Sequence, residues 1–216
     1  ELVTTVAVTP APGDEDDLLL GGELDLLELG RSRLRLLDDI LRVHTPEYVH
    51  AFIDGTLERK ALLRLGLPWS QELVQRAFAV IGGTLGAAQA ALRDGVGVNL
   101  AGGTHHAYSD HGEAFCMLND QAIGARYLLN KRLAKKILIV DLDVHQGNGT
   151  AEIFQNDESV FTFSMHGASN YPFKKEESDL IKQKNVISNE EFEKKLSLLR
   201  NKASDYQKQR KKFNDS

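Results

Sequence analysis

"KILIVDLDVHQGNGTAEIF", residues 136–154, decides how this chain folds. The run Ile137–Val140 is apolar without a break, as a strand buried on both faces is. Asp141, Asp143 and His145 follow at alternating positions, then Gly147 and Gly149, then the short helical stretch TAEIF (150–154). A buried strand that runs through a polar loop into a helix is the repeating unit of a parallel sheet with crossover helices. In an extended backbone, side chains at i, i+2 and i+4 share one side. Asp141, Asp143 and His145 are therefore expected to converge, with Leu142 and Val144 packed on the opposite face. Two readings of that convergence stand. Either a cation joins the three groups, their mixed oxygen and nitrogen donors suiting zinc or iron(II), or the acids cap backbone N–H groups at the strand end. Gly147 and Gly149 allow a sharp turn and a close approach, and Asn148 between them is placed to hold a neighbouring imidazole.

The same alternation of elements extends to both sides. "VGVNL" (96–100) reads as a buried strand, Asn119 as the N-cap of a helix reaching about Leu133, and "VFTFS" (160–164) as a third strand. The expected fold class is therefore α/β, a parallel sheet with crossover helices. Ligands of such sheets bind beyond the carboxyl ends of the strands. Three polar clusters occupy three such ends: "GGTHH" after 96–100, "DLDVH" after 136–140, and Ser164 at the end of 160–164. Of the adjacent pair His105–His106, one imidazole can take a proton from a water while the other stabilises developing charge; the alternative is a surface pair. His44, His50 and His111 read as surface residues, and His166 fits either role. Phe115 reads as a pocket wall or a core aromatic, and Cys116 as a small buried apolar residue.

Upstream, the pattern is helical. Thr45, Pro46 and Gly55 bracket one short helix and Gly66 closes another. Ser70 and Gly95 bracket a long one whose glycines and alanines suggest close packing. The leucines of residues 22–41 recur at helical spacing, and residues 1–22 read as a flexible N-terminal segment. After Gly167 there is no glycine, and residues 181–216 read as a basic amphipathic helical tail. The expected organisation is thus 1–22, a principal domain over 23–180, and the tail.

The net charge of −5 is unevenly spread: residues 182–216 hold ten Lys/Arg against five Asp/Glu, so the remainder is strongly acidic. An acidic body suits a cationic partner better than nucleic acid, and no direct nucleic-acid binding is expected. With 42% hydrophobic residues the chain can build a sizeable core, and no apolar run approaches the roughly 20 residues of a membrane span. One cysteine rules out an intrachain disulfide. The expected setting is nucleus or cytoplasm, with an organelle left open because the first residue is Glu1.

"NLAGGTHHAYSDHGEAFCMLND", "ILIVDLDVHQGNGTAEIF" and "VFTFSMHG" together closely resemble the zinc-dependent histone deacetylases, nearest to class IV and the bacterial deacetylase-like proteins. The likeness runs from about Leu41 to Asp179. It implies the arginase/deacetylase-like fold, incomplete in its C-terminal half, and hydrolysis of acetyl or longer acyl groups from lysine side chains of histones or other proteins. By that resemblance Asp143 and His145 match zinc ligands. His106 matches the general base, His105 its charge-stabilising neighbour, Asp141 the carboxylate orienting His105, and Asn148 the residue beside the base. Phe115 matches one wall of the acyl-lysine tunnel, with Ala114 in place of the usual glycine before it. Asp141, Asp143, His145, Ser164 and Met165 match an inner potassium site, and Phe154, Asp157 and Val160 an outer one. The family's third zinc ligand lies in a Gly-x-Asp context and its oxyanion tyrosine in a glycine-rich loop; neither motif occurs in these 216 residues. The resemblance therefore implies a truncated, inactive product, the alternative being a non-catalytic isoform that binds a partner.

Overall fold

The computed structural model describes residues 5–10, 36–177 and 197. All but residue 197 of the expected tail helix and the leucine-rich stretch before Leu36 lie outside the described residues, as do residues 1–4 and 11–22. Among the described residues, besides a helical turn at 36–40, eight elements follow in chain order: β1 (Thr5–Pro10), α1 (Pro46–Asp54), α2 (Arg59–Leu65), α3 (Gln71–Asp94), α4 (Asp120–Asn130), β2 (Ala134–Asp141), α5 (Asn148–Phe154) and β3 (Val160–Ser164).

The helix ends follow local chemistry. Thr45 Oγ1 accepts the Tyr48 N–H with Pro46 in the first turn, and Gly55 ends α1 at φ +70°. Ser70 Oγ accepts the Leu73 N–H at 3.1 Å to open α3, which closes at Gly95. Asn119 Oδ1 accepts the Ala122 N–H at 3.0 Å to open α4. Each cap satisfies a backbone donor that the first turn leaves orphaned.

The sheet order is β1-β2-β3. β2 and β3 pair in parallel, joined by α5, with Asp141 opposite Ser164 at their common end. β1 pairs antiparallel with the other edge of β2. Residues 5–10 are thus a strand where the sequence suggested a flexible segment. Helix α4 lies against α3 on one side and β2 and α5 on the other. Its first six residues are all buried, and Ile123 and Leu128 meet Ile137, Ile139 and Phe154 in the core.

Residues 96–100 do not form the expected strand. Val96, Val98 and Leu100 are 69%, 59% and 95% exposed. The segment is docked on α3 instead: the Asn99 amide donates to Val80 O and Thr84 Oγ1, and a Cβ on Gly97 would collide with Ala87 of α3. A strand needs a neighbour to take its N–H and C=O groups, and α3 cannot supply a ladder. In α3 itself, Gly83 lies close to Asn99, while Gly82 and Gly86 meet no neighbour among the described residues. No described helix is long and apolar enough to cross a membrane.

Candidate active site

The loop that carries the two histidines is anchored from below by Asp120. Its carboxylate, 2% exposed, accepts the N–H groups of Gly103 and Thr104 and the hydroxyls of Thr84 and Thr104. A buried carboxylate is tolerated only when its lone pairs are so filled. From above, Gly149 lies against Ala107, where any side chain would overlap the Ala107 carbonyl. Gly147 likewise leaves room for the Asp141 carboxylate and the His105 ring. The two glycines are there for close approach, as the sequence suggested.

His105 and His106 are buried, 6% and 5% exposed, with ring centroids 4.1 Å apart. Their partners differ. Nδ1 of His105 lies 2.5 Å from Asp141 Oδ2, and Nδ1 of His106 lies 2.6 Å from Asn148 Oδ1. Burial disfavours the charged form of both rings. At His105, the hydrogen bond and charge of Asp141 outweigh burial, and its pKa rises. At His106, burial is joined by repulsion from His105, and its pKa falls to about 4. The pair is therefore split into one imidazole that favours its proton and one that is neutral at pH 7.

The "DLDVH" stretch departs from the expected geometry. β2 ends at Asp141 and the chain then bends. Asp141 Oδ1 accepts the Asp143 N–H at 2.9 Å, and Asp143 Oδ1 accepts the His145 N–H at 2.7 Å. These successive Asx turns are the capping alternative. Asp141 is turned towards His105, so the three groups do not converge. Asp143 and His145 remain side by side and partly exposed, with Oδ1 and Nδ1 3.3 Å apart. Leu142 and Val144 are exposed, at 38% and 49%, rather than packed on an opposite face. Among the described residues, no group of three His, Cys, Asp or Glu side chains is arranged to hold a metal.

Phe115 is 65% exposed, at φ +68° with its ring on Gly66. Ser164 Oγ meets His166 Nδ1 at 2.9 Å, and the Met165 N–H donates to Asp141 O at 2.9 Å. Phe154 and Val160 are core residues; the Phe154 and Asp157 carbonyls accept the Asp157 and Val160 N–H groups, and the Asp157 carboxylate pairs with Arg126. Cys116 is buried, its thiol pushed up to about 12 by burial.

Three residues escaped the sequence reading, Tyr171, Tyr108 and Glu113, and two histidines are placed differently from it. Tyr171 stands edge-on to His106, centroids 5.1 Å apart, and its hydroxyl donates to Glu113 Oε1. Tyr108 and Glu113 both accept from the Asn148 amide, at 3.0 and 3.2 Å. His44 is 1% exposed rather than at the surface, and His111, 23% exposed at its side chain, stacks on Tyr108. A lone histidine or tyrosine in a loop carries no periodic signal that would single it out.

A histone deacetylase domain model matches residues 24–208. The chain belongs to the histone deacetylase family. The match continues past Asp179 into the stretch that the sequence reading set apart as a tail. An uncharacterised protein of Picosynechococcus sp. is 56% identical over 138 residues, 64% of this chain and 46% of that protein. A probable deacetylase of Archaeoglobus fulgidus is 36% identical over 63% of this chain and 38% of its own length. Among solved structures, an HDAC homologue complexed with SAHA superposes with a TM-score of 0.57 at 30% identity, covering 64% of this chain and 40% of that one. The fold is thus the arginase/deacetylase fold of that family. This chain spans less than half the length of these relatives.

Proposed function

We propose that this deacetylase-family chain contributes the histidine pair and part of the metal site of a class IV-like hydrolase that removes acetyl or longer acyl groups from protein lysines. The observation that carries the reading is the split pair: His106 neutral and held by Asn148, His105 biased towards its proton by Asp141. A neutral imidazole is competent to accept a proton from the attacking water, and a cationic neighbour steadies the developing oxyanion and returns a proton to the leaving amine. The SAHA complex of the homologue supports an acyl-lysine substrate, SAHA being an acyl-lysine mimic. The acidic body supports basic segments such as histone tails.

Asp143 and His145 fit two positions of a zinc site, one oxygen and one nitrogen donor side by side. Bound zinc would polarise the acyl carbonyl and acidify water. Catalytic zinc takes three protein ligands, so the third would come from outside the described residues. For potassium, the register of Asp141 with Ser164 and the Met165–Asp141 bond support an inner site with Asp143 and His145. The turn through Phe154, Asp157 and Val160 supports an outer one.

These 216 residues alone are expected to turn over an acetyl-lysine peptide at least 10²–10³ more slowly than a complete relative, the loss that one missing oxyanion donor causes. A chimera continuing this chain into the downstream half of the Picosynechococcus relative is expected to be active, and His106→Ala to abolish that activity. A folded chimera that binds zinc and stays inactive would overturn the hydrolase reading in favour of a binding module.

A further inference from the structure

The orientation of the Asn148 amide decides which nitrogen of His106 carries the proton. We propose that Glu113 is a positioning residue for His106, acting through Asn148; this rests on His106 being the base. An asparagine amide can present either its oxygen or its NH2 to an imidazole. Here its oxygen faces His106 Nδ1 at 2.6 Å. A carboxamide oxygen only accepts, so Nδ1 carries the proton and Nε2 keeps its lone pair.

The other half of the amide explains why it does not flip. Both Nδ2 hydrogens are spent on acceptors: Tyr108 Oη at 3.0 Å and Glu113 Oε1 at 3.2 Å. The Tyr108 hydroxyl hydrogen is itself committed to Glu176 Oε1 at 3.1 Å, so its oxygen is left to accept. The Glu113 carboxylate is acceptor-only. Turning the Asn148 oxygen towards it would set two acceptors face to face, and would turn the NH2 to His106, whose Nδ1 would then have to accept. By giving up Glu176, the Tyr108 hydroxyl can rotate to donate to a flipped amide oxygen, whereas the carboxylate has no proton to offer. Glu113 is held in turn by the Tyr171 hydroxyl, and its side chain is 18% exposed. The chain of contacts thus runs from carboxylate through amide to imidazole.

The tautomer of His106 is read directly from long-range proton–nitrogen NMR of the histidine-labelled chain, with His106 assigned by the signal lost in His106→Gln. Neither metal nor substrate is needed, so the result stands whether or not hydrolysis is observed. The wild-type ring is expected in the Nδ1–H form. Glu113→Leu removes the acceptor and is expected to shift the tautomer ratio towards Nε2–H by at least about tenfold, roughly 1.4 kcal/mol. Glu113→Gln keeps an acceptor oxygen and is expected to hold the wild-type tautomer. An unchanged ratio in a folded Glu113→Leu chain overturns the proposal. Should that variant fail to fold, an Nε2–H ring in the wild type, or a ring that switches form in Glu113→Gln, overturns it as well.

Discussion

Lowering the pH should unfasten the histidine loop through a residue remote from the chemistry, His44. Its ring is 1% exposed, with Nδ1 2.8 Å from Tyr108 O and Nε2 accepting the Asn119 N–H at 2.9 Å. Nε2 therefore has to be unprotonated, and a second proton would set donor against donor. Burial, opposed in part by the backbone of Tyr108 and Ser109, lowers its pKa to about 4, against about 6.5 in an unfolded chain. For a base whose folded pKa is depressed, the unfolded state binds the proton first. The stabilisation is fully present above pH 6.5 and is lost as pH falls towards 4. At about 1.4 kcal/mol per pH unit the window is worth about 3 kcal/mol. His106 titrates low as well, so a difference measurement is required. Urea unfolding of the wild type and His44→Asn at several values between pH 7.5 and 4.5 should show the wild-type advantage shrinking by about 2–3 kcal/mol. Asn119 also ties α4 to Ala107 O and Thr150 Oγ1, so the loss should reach the histidine loop. Parallel pH profiles for the two chains, or an NMR pKa for His44 near 6.5, would refute the reasoning.

Three other perturbations follow from the same geometry. Gly149→Ala forces a Cβ into the Ala107 carbonyl and should cost about 1–3 kcal/mol by urea unfolding, a typical overpacking loss; wild-type stability would show that the two loops are not in contact. Asn148→Asp sets a second carboxylate against Glu113, so it should destabilise by about 1 kcal/mol or more, and Glu113→Gln should relieve it in a double-mutant cycle. Additive effects would sever that contact. If potassium occupies the end of β2 and β3, the melting temperature should be higher in potassium than in a large organic cation at equal ionic strength, and equal melting would count against the inner site.

What the sequence made legible was whatever local chemistry alone determines. Thr45, Ser70 and Asn119 cap helices because their side chains reach orphaned N–H groups in their own first turns, and Gly55, Gly66 and Gly95 end helices at positive φ. The pairing of His105 with Asp141 and of His106 with Asn148 was legible through the family resemblance. What failed depended on neighbours. Val96, Val98 and Leu100 alternate like a strand, yet α3 is what lies beside them. Residues 5–10 hold a proline and precede an acidic run, yet β2 offers them an edge. The alternation of Asp141, Asp143 and His145 suggested one convergent face, but each short carboxylate found a backbone N–H two residues on, and the chain bent instead.

The adjacency of His105 and His106 also has a physical reading that the motif alone does not give. Two imidazoles with centroids 4.1 Å apart cannot both hold a second proton cheaply, so each one's state depends on the other's. The chain breaks the symmetry with one difference in its supports: a carboxylate behind His105, an amide behind His106. The carboxylate draws charge to His105, and that charge, together with burial, keeps His106 neutral. An amide is the support that leaves this division intact, because a carboxylate at position 148 would pull charge back to His106. Asn148 brings its own cost, since an amide can flip where a carboxylate cannot. Glu113 answers that cost from the far side, at a distance where its charge meets the amide hydrogens before it meets the ring.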